Sequence, residues 1–242
     1  MRKKLEIDAG AKDVLTPSAV QTMRQRARII QILDASERVA ISPLRAGRLH
    51  AFAYLADVLS PVWGLPAFDG KVLKIEGGPH YPDLQREIDR LVVLGLINIS
   101  EVRYIPQPDG GARIDALYSL NLDSPVLAPI LGALGARGRS AALDPRDSDV
   151  YSFLLDLAGA LATVPEEEID KAATVDVTYA DQRVDLSNVI DFGRWTTDVY
   201  ADNLSLRTVD RFQHFLPDDA SLSSGEKLYL YASFLGRRVH AR

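Results

Sequence analysis

Apolar side chains recur at three- and four-residue spacing from Ser18 to Ala35, where Val20, Met23, Ala27, Ile30 and Leu33 share one side and Arg24 and Arg28 take the other, the pattern of an amphipathic helix. Ser42-Pro43 reads as an N-cap followed by proline at the first helical position, opening a second helix that runs to about Leu59. Leu44, Phe52, Leu55, Val58 and Leu59 fall within one arc of about 120° on that helix. Arg48 lies inside the same arc, so its guanidinium must snorkel, pair with a carboxylate or meet a partner. A short extended piece, Lys71 to Ile75, is then stopped by Gly77-Gly78-Pro79. Pro82 opens a third helix with Leu84, Ile88, Leu91 and Val92 as its stripe, and Gly95 sits where a left-handed cap ends it. Ile97, Ile99, Val102 and Tyr104 alternate with a phase slip near Ser100 that predicts a bulge. After a turn at Pro106-Gln107-Pro108-Asp109-Gly110-Gly111, Ile114, Ala116, Tyr118 and Leu120 alternate strictly. Helix, glycine, strand, turn, strand predicts a winged helix with a β-hairpin wing.

Asp147 to Val164 predicts a largely apolar helix in which Ala158, Gly159 and Ala160 permit close approach by a neighbour. Val189 to Trp195 and Leu204 to Leu216 read as shorter helical pieces. Ser223-x-x-Glu226 is a capping box for a last helix, Lys227 to Leu235, that is apolar nearly all round and therefore buried in the chain or covered by another protein. The expected fold class is α+β, mostly α. The expected division is an arm over 1–17, a winged-helix-like domain over 18–122, a connecting helix and linker over 123–145, and a helical acidic domain with a basic tail over 146–242.

Charge supports that division. The 242 residues carry 28 basic and 33 acidic side chains, a net −5, but the sum is +3 up to Leu143, −11 from Asp144 to Asp219 and +3 from Ala220 onward. A strongly acidic half repels phosphate backbones. With no cysteine, thiolate zinc sites, redox dithiols and cysteine nucleophiles are excluded, and the cytoplasm is the expected compartment. The basic start, Met1-Arg2-Lys3-Lys4, leads into Asp8 and Asp13 rather than an apolar stretch, so neither a secretory signal nor a membrane anchor is expected.

Catalytic patterns fare poorly. Gly64 to Val72 resembles a phosphate loop but has five residues between the glycines and Val72 where a magnesium-binding hydroxyl belongs. His50, His80, His214 and His240 lie far apart, without metal-ligand spacing, and Glu166-Glu167-Glu168 after Pro165 fits the positive end of a helix. No catalytic residue, metal or cofactor is therefore assigned. On the third helix, Arg86 and Arg90 are interleaved with Asp83, Glu87 and Asp89 at ion-pair spacing, a poor surface for reading bases.

The stretch from Ser42 to Ile99, about a quarter of the chain, carries Arg48-Leu49-His50-Ala51-Phe52-Ala53-Tyr54-Leu55-Ala56-Asp57, then Asp69-Gly70-Lys71-Val72-Leu73-Lys74, then Gly77-Gly78-Pro79-His80-Tyr81-Pro82-Asp83-Leu84-Gln85 and Asp89-Arg90-Leu91-Val92 before Gly95-Leu96-Ile97. It resembles the middle components of ABC-three-component systems, the bacterial antiviral defence modules that include Lamassu. The resemblance implies a non-catalytic adaptor between an SMC-like ATPase and a separate effector, often a nuclease; any contact with DNA is expected only within the complex. On that reading the partner-binding residues are Arg45, Arg48, Lys71, Lys74, His80, Tyr81, Arg86 and Arg90, basic positions around the Gly-Pro-His-Tyr-Pro turn. The alternative is a winged-helix DNA-binding transcription regulator, and a hydrolase assembled from distant residues is a third.

Overall fold

The structure, a computed structural model, describes residues 17–68, 70–106, 112–138, 140–193, 203–217 and 220–241. The expected N-terminal arm, the wing turn at 107–111 and Trp195 lie outside the described residues. Among the described residues the fold is α+β and mostly helical, with 57% helix and 15% strand. Its helices are α1 (Pro17–Arg38), α2 (Ala46–Leu59), α3 (Pro82–Val93), α4 (Leu127–Ala133), α5 (Pro145–Leu161), α6 (Glu166–Val175), α7 (Leu204–Phe212) and α8 (Ser224–His240). Its strands are β1 (Leu44–Arg45), β2 (Lys71–Ile75), β3 (Gly78–His80), β4 (Ile97–Pro106), β5 (Ala112–Leu120) and β6 (Asn188–Asp191). Among the described residues no helix is long and apolar enough to cross a membrane.

One antiparallel sheet has the order β1-β5-β4, with Leu44 opposite Tyr118 and Ile97 opposite Leu120. The predicted phase slip is a bulge between Ser100 and Arg103, where Glu101 adopts a φ of 48°. The predicted end of α3 is also present. Gly95 has a φ of 68°, its N–H donates to the Val92 carbonyl, and the Leu96 N–H donates to the Leu91 carbonyl, the paired bonds of a Schellman cap.

Three local expectations are corrected. Ser42-Pro43 does not cap a helix: Leu44 and Arg45 pair with β5 instead, and α2 begins at Ala46 with Arg45 as an N-cap residue whose side chain makes no capping bond. Sheet hydrogen bonds satisfy backbone groups that the first helical turn would leave open. Gly77 is not a terminator but the turn of a β2–β3 hairpin, with a φ of 90°. Val189 to Asp191 belongs to β6, which pairs with the other edge of β2 and completes a second sheet, β3-β2-β6. That pairing joins segments more than a hundred residues apart, which no local periodicity reveals.

A continuous buried apolar cluster runs from Ile29 to Leu235, so the charge break at Asp144 is not a gap in the packing. Gly135, within the expected linker, approaches α5 so closely that a Cβ would stand 2.5 Å from the Ser148 Cα. Every residue of α2 except Gly47 is buried, because α6 and α7 cover the sides that α1, β3 and β5 leave open. The last helix presents a side to water after all, with Tyr229 and Leu230 exposed while Leu228, Tyr231, Ala232 and Leu235 are buried. Gly159 gives the predicted close approach: a Cβ there would meet the Tyr229 hydroxyl at 2.5 Å.

Asp176, just past α6, is completely buried and ties these elements together. Its carboxylate accepts from Tyr54 of α2 and Tyr231 of α8, each at 2.6 Å, from Ser205 of α7 at 2.7 Å, and from the backbone N–H groups of Thr178 and Tyr179 at 2.9 and 3.0 Å. Burial, reinforced by the neighbouring Asp176 charge, pushes the Tyr54 and Tyr231 hydroxyls well above the usual tyrosine range. Asp176→Ala, which leaves several buried donors unanswered, is expected to cost roughly 3–5 kcal/mol, and Tyr54→Phe about 1 kcal/mol, measured by urea denaturation. Burial also raises Tyr118 and Tyr151 and pushes Tyr179 up to about 12. A folded value above the unfolded one means stability that is complete below pH ~10 and is lost as pH rises through the folded values. The thermal midpoint is therefore expected to fall steeply across that range, together with the 295 nm absorbance change of tyrosinate.

Candidate interaction surface

The Gly-Pro-His-Tyr-Pro turn forms β3 and then delivers Tyr81 as the N-cap residue of α3. Tyr81 is buried, and its hydroxyl donates to Asp57 Oδ2 at 2.6 Å. The Asp57 Oδ1 atom accepts the Phe68 N–H at 2.8 Å, and Arg28 of α1 stands 3.4 Å from the same carboxylate with its guanidinium over the Phe68 ring. The Tyr81 N–H donates to His50 Nδ1 at 3.2 Å, which places the ring proton on Nε2, 3.1 Å from Gln85 Oε1. Four consecutive segments are thus fixed around the head of α3 by groups inside the chain.

Three of the eight expected partner-binding residues are buried and bonded inside the chain. Arg48, 4% exposed, crosses from α2 to α6, with Nη1 2.9 Å from Glu166 Oε1 and Nε 2.9 Å from Asp170 Oδ1. Burial alone lowers its pKa, but the hydrogen bonds to Asp170 and Glu166 prevail and the net shift is upward. Lys74 is buried with Nζ donating to the Asp181 and Val184 carbonyls at 2.8 and 2.6 Å, and desolvation lowers its pKa. Tyr81 is the third. His80 is half-buried, its ring centred 5.0 Å from that of His50.

Four remain at the surface, and each has an acidic neighbour. Arg45 lies 3.2 Å from Asp115 and 3.3 Å from Glu101, Lys71 3.8 Å from Asp191, and Arg86 2.9 Å from Asp83. Arg90 pairs with Glu87, a buried carboxylate that Arg26 of α1 also reaches at 2.6 Å. A groove of about 1020 Å³ opens at the head of α3, between Arg24 of α1, Lys71, Phe68 and Phe192. Of the expected residues only Lys71 and Tyr81 line it. Among the described residues no cluster of three or more His, Asp or Glu side chains could hold a metal ion.

Sequence reasoning missed the apolar surface. Beyond its bulge the β4–β5 ribbon projects from the body, leaving Val102, Tyr104 and Ile114 exposed on the face whose inner half, Ile97, Ala116 and Tyr118, is core. Strict alternation marks this face as apolar but cannot say where the covering helices stop. At the other end of α3, Val93 and Leu94 are exposed, as are Leu122 and Val126 beyond the end of β5. The two surfaces are set apart: Asn121, at the base of the ribbon, bonds the Gly95 carbonyl, whereas Tyr118, further out, meets Gln85 near the start of α3.

Comparison with protein-family models, curated proteins and solved structures finds no match for the chain. Arg48→Ala is expected to lower stability by roughly 1–3 kcal/mol, since it removes packing as well as two ion pairs. Arg86→Ala, at an exposed pair, should stay within about 0.5 kcal/mol of the parent. Parallel urea titrations check both.

Proposed function

We propose that the chain is a non-catalytic adaptor that holds an SMC-like ATPase and an effector together in a bacterial antiviral complex, with residues 17–120 acting as a winged-helix module turned to protein recognition. The observation that carries this reading is the chemistry of α3 and the ribbon. The cations of α3 are engaged by Asp83 and Glu87, and the ribbon beside it offers Val102, Tyr104 and Ile114, with Tyr104 72% exposed. Exposed apolar surface of this kind marks protein contacts, whereas duplex recognition draws its affinity from Lys and Arg that neutralise phosphates. Around the ribbon, Arg45 and Arg103 are met by Asp115 and Glu101.

The resemblance supports the same reading, and its residues account for the scaffold rather than the contact. Arg48, His50, Tyr54 and Asp57 of the resembling pattern are buried polar groups of α2; Tyr81 and Gln85, at the head of α3, are partners of His50 and Asp57, while Arg48 and Tyr54 bond Glu166 and Asp176.

The DNA-binding regulator has one point in its favour. The β1-β5-β4 pairing beside α1, α2 and α3 supports a winged helix into which the β2–β3 hairpin is inserted between α2 and α3. Binding to duplex DNA by the purified chain separates the two readings: the adaptor predicts weak or absent binding at physiological salt, and tight, steeply salt-dependent binding to one operator overturns it. In the complementary experiment, Val102→Asp with Tyr104→Asp is expected to abolish co-purification with an SMC-like ATPase expressed from the neighbouring gene while the far-UV circular dichroism is unchanged.

A further inference from the structure

We propose that the C-terminal end of α3 is a self-association surface, through which the chain pairs with a second copy of itself about a two-fold axis. The inference rests on a different surface from the ribbon and does not depend on the adaptor reading.

Val93 is 87% exposed, Leu94 61%, Leu122 63% and Val126 53%. These four aliphatic side chains come from two segments that the fold forces together. The left-handed Gly95 turns the chain from α3 into β4 so that Val93 and Leu94 remain outside. Asn121 then locks the end of β5 to that turn, its Nδ2 donating to the Gly95 carbonyl at 2.8 Å and its backbone N–H to the Leu96 carbonyl at 3.0 Å, which holds the segment leading into Leu122 against the turn that follows Leu94. Together they present on the order of 400 Å² of apolar surface, the scale at which a patch on a soluble protein marks an interaction site. That is about half of one partner's share of a standard interface, a suitable apolar centre if a polar rim supplies the rest.

The rim favours a second copy as the occupant. Arg90 lies one turn back along α3 from Val93 and Leu94, and Asp123 follows Leu122 in the chain, so the two segments carry opposite charge. Arg90 is half in water, its pair with Glu87 using one side of the guanidinium. A two-fold contact is self-complementary, placing residue i of one copy against residue j of the other and j against i. Centred on Val93 and Leu94, such an axis stacks aliphatic on aliphatic and brings Arg90 of each copy onto Asp123 of the other. A contact between two unrelated surfaces has no need for that antisymmetric rim.

Size-exclusion chromatography with light scattering is expected to give, at micromolar concentration, twice the 26.6 kDa of one chain. Val93→Asp with Leu94→Asp should return the monomer mass with unchanged far-UV circular dichroism, since both side chains already face water. Arg90→Asp and Asp123→Arg should each weaken dimerisation about tenfold or more, and the two together should restore most of the loss, which general destabilisation would not do. A monomer at every concentration, a dimer indifferent to the Val93 and Leu94 changes, or a charge swap without rescue overturns the proposal. So does a monomer that engages a different protein through these residues.

Discussion

The structure depends on a helix surrounded by protein. Because α2 is buried on almost every side, each polar group it carries must find its partner inside the chain. Arg48 reaches Glu166 and Asp170, Tyr54 reaches Asp176, Asp57 takes Arg28, Tyr81 and the Phe68 amide, and His50 bridges Tyr81 and Gln85. These contacts link segments from both ends of the sequence, and an unanswered charge among them would cost several kcal/mol. The acidic excess of the second half is partly explained here, since Glu166, Asp170 and Asp176 serve groups on α2.

The same constraint shapes the exterior. The second sheet and α6 cover the side of α2 that a free three-helix unit would expose, leaving α3 and the β4–β5 ribbon as the prominent outer features. Arg86, Arg90 and Arg103 there each have an acidic neighbour, and the exposed apolar side chains are Val102, Tyr104 and Ile114 on the ribbon and Val93 and Leu94 at the end of α3. A chain built this way offers neighbours shape and apolar area more than field.

Much of the local structure was legible from local pattern. The stripe of α3, the Gly95 cap, the bulge near Ser100 and the Ser223 capping box are all set by neighbouring residues, so periodicity and cap chemistry are enough to find them. The failures share one cause, contact between residues distant in the sequence. Leu44 and Arg45 become a strand because β5 is there to pair with them, and Val189 to Asp191 become one because β2 is. Arg48, Lys74 and Tyr81 read as partner-facing because a basic or aromatic residue near a turn gives no local sign that Glu166, Val184 or Asp57 awaits it. The exposed aliphatics at 93, 94 and 122 were equally illegible: an apolar letter looks the same whether or not another element covers it.

The central claim is that the polar contacts of α2 make the two differently charged halves one cooperative unit. Native-state hydrogen exchange followed by mass spectrometry tests this directly, through the opening free energies of peptides from α2, α5, α6 and α8. The account predicts that all four exchange only by the same global opening, with slopes against denaturant that converge. Separate openings, with α5, α6 and α8 released at a free energy well below that of α2, would contradict it.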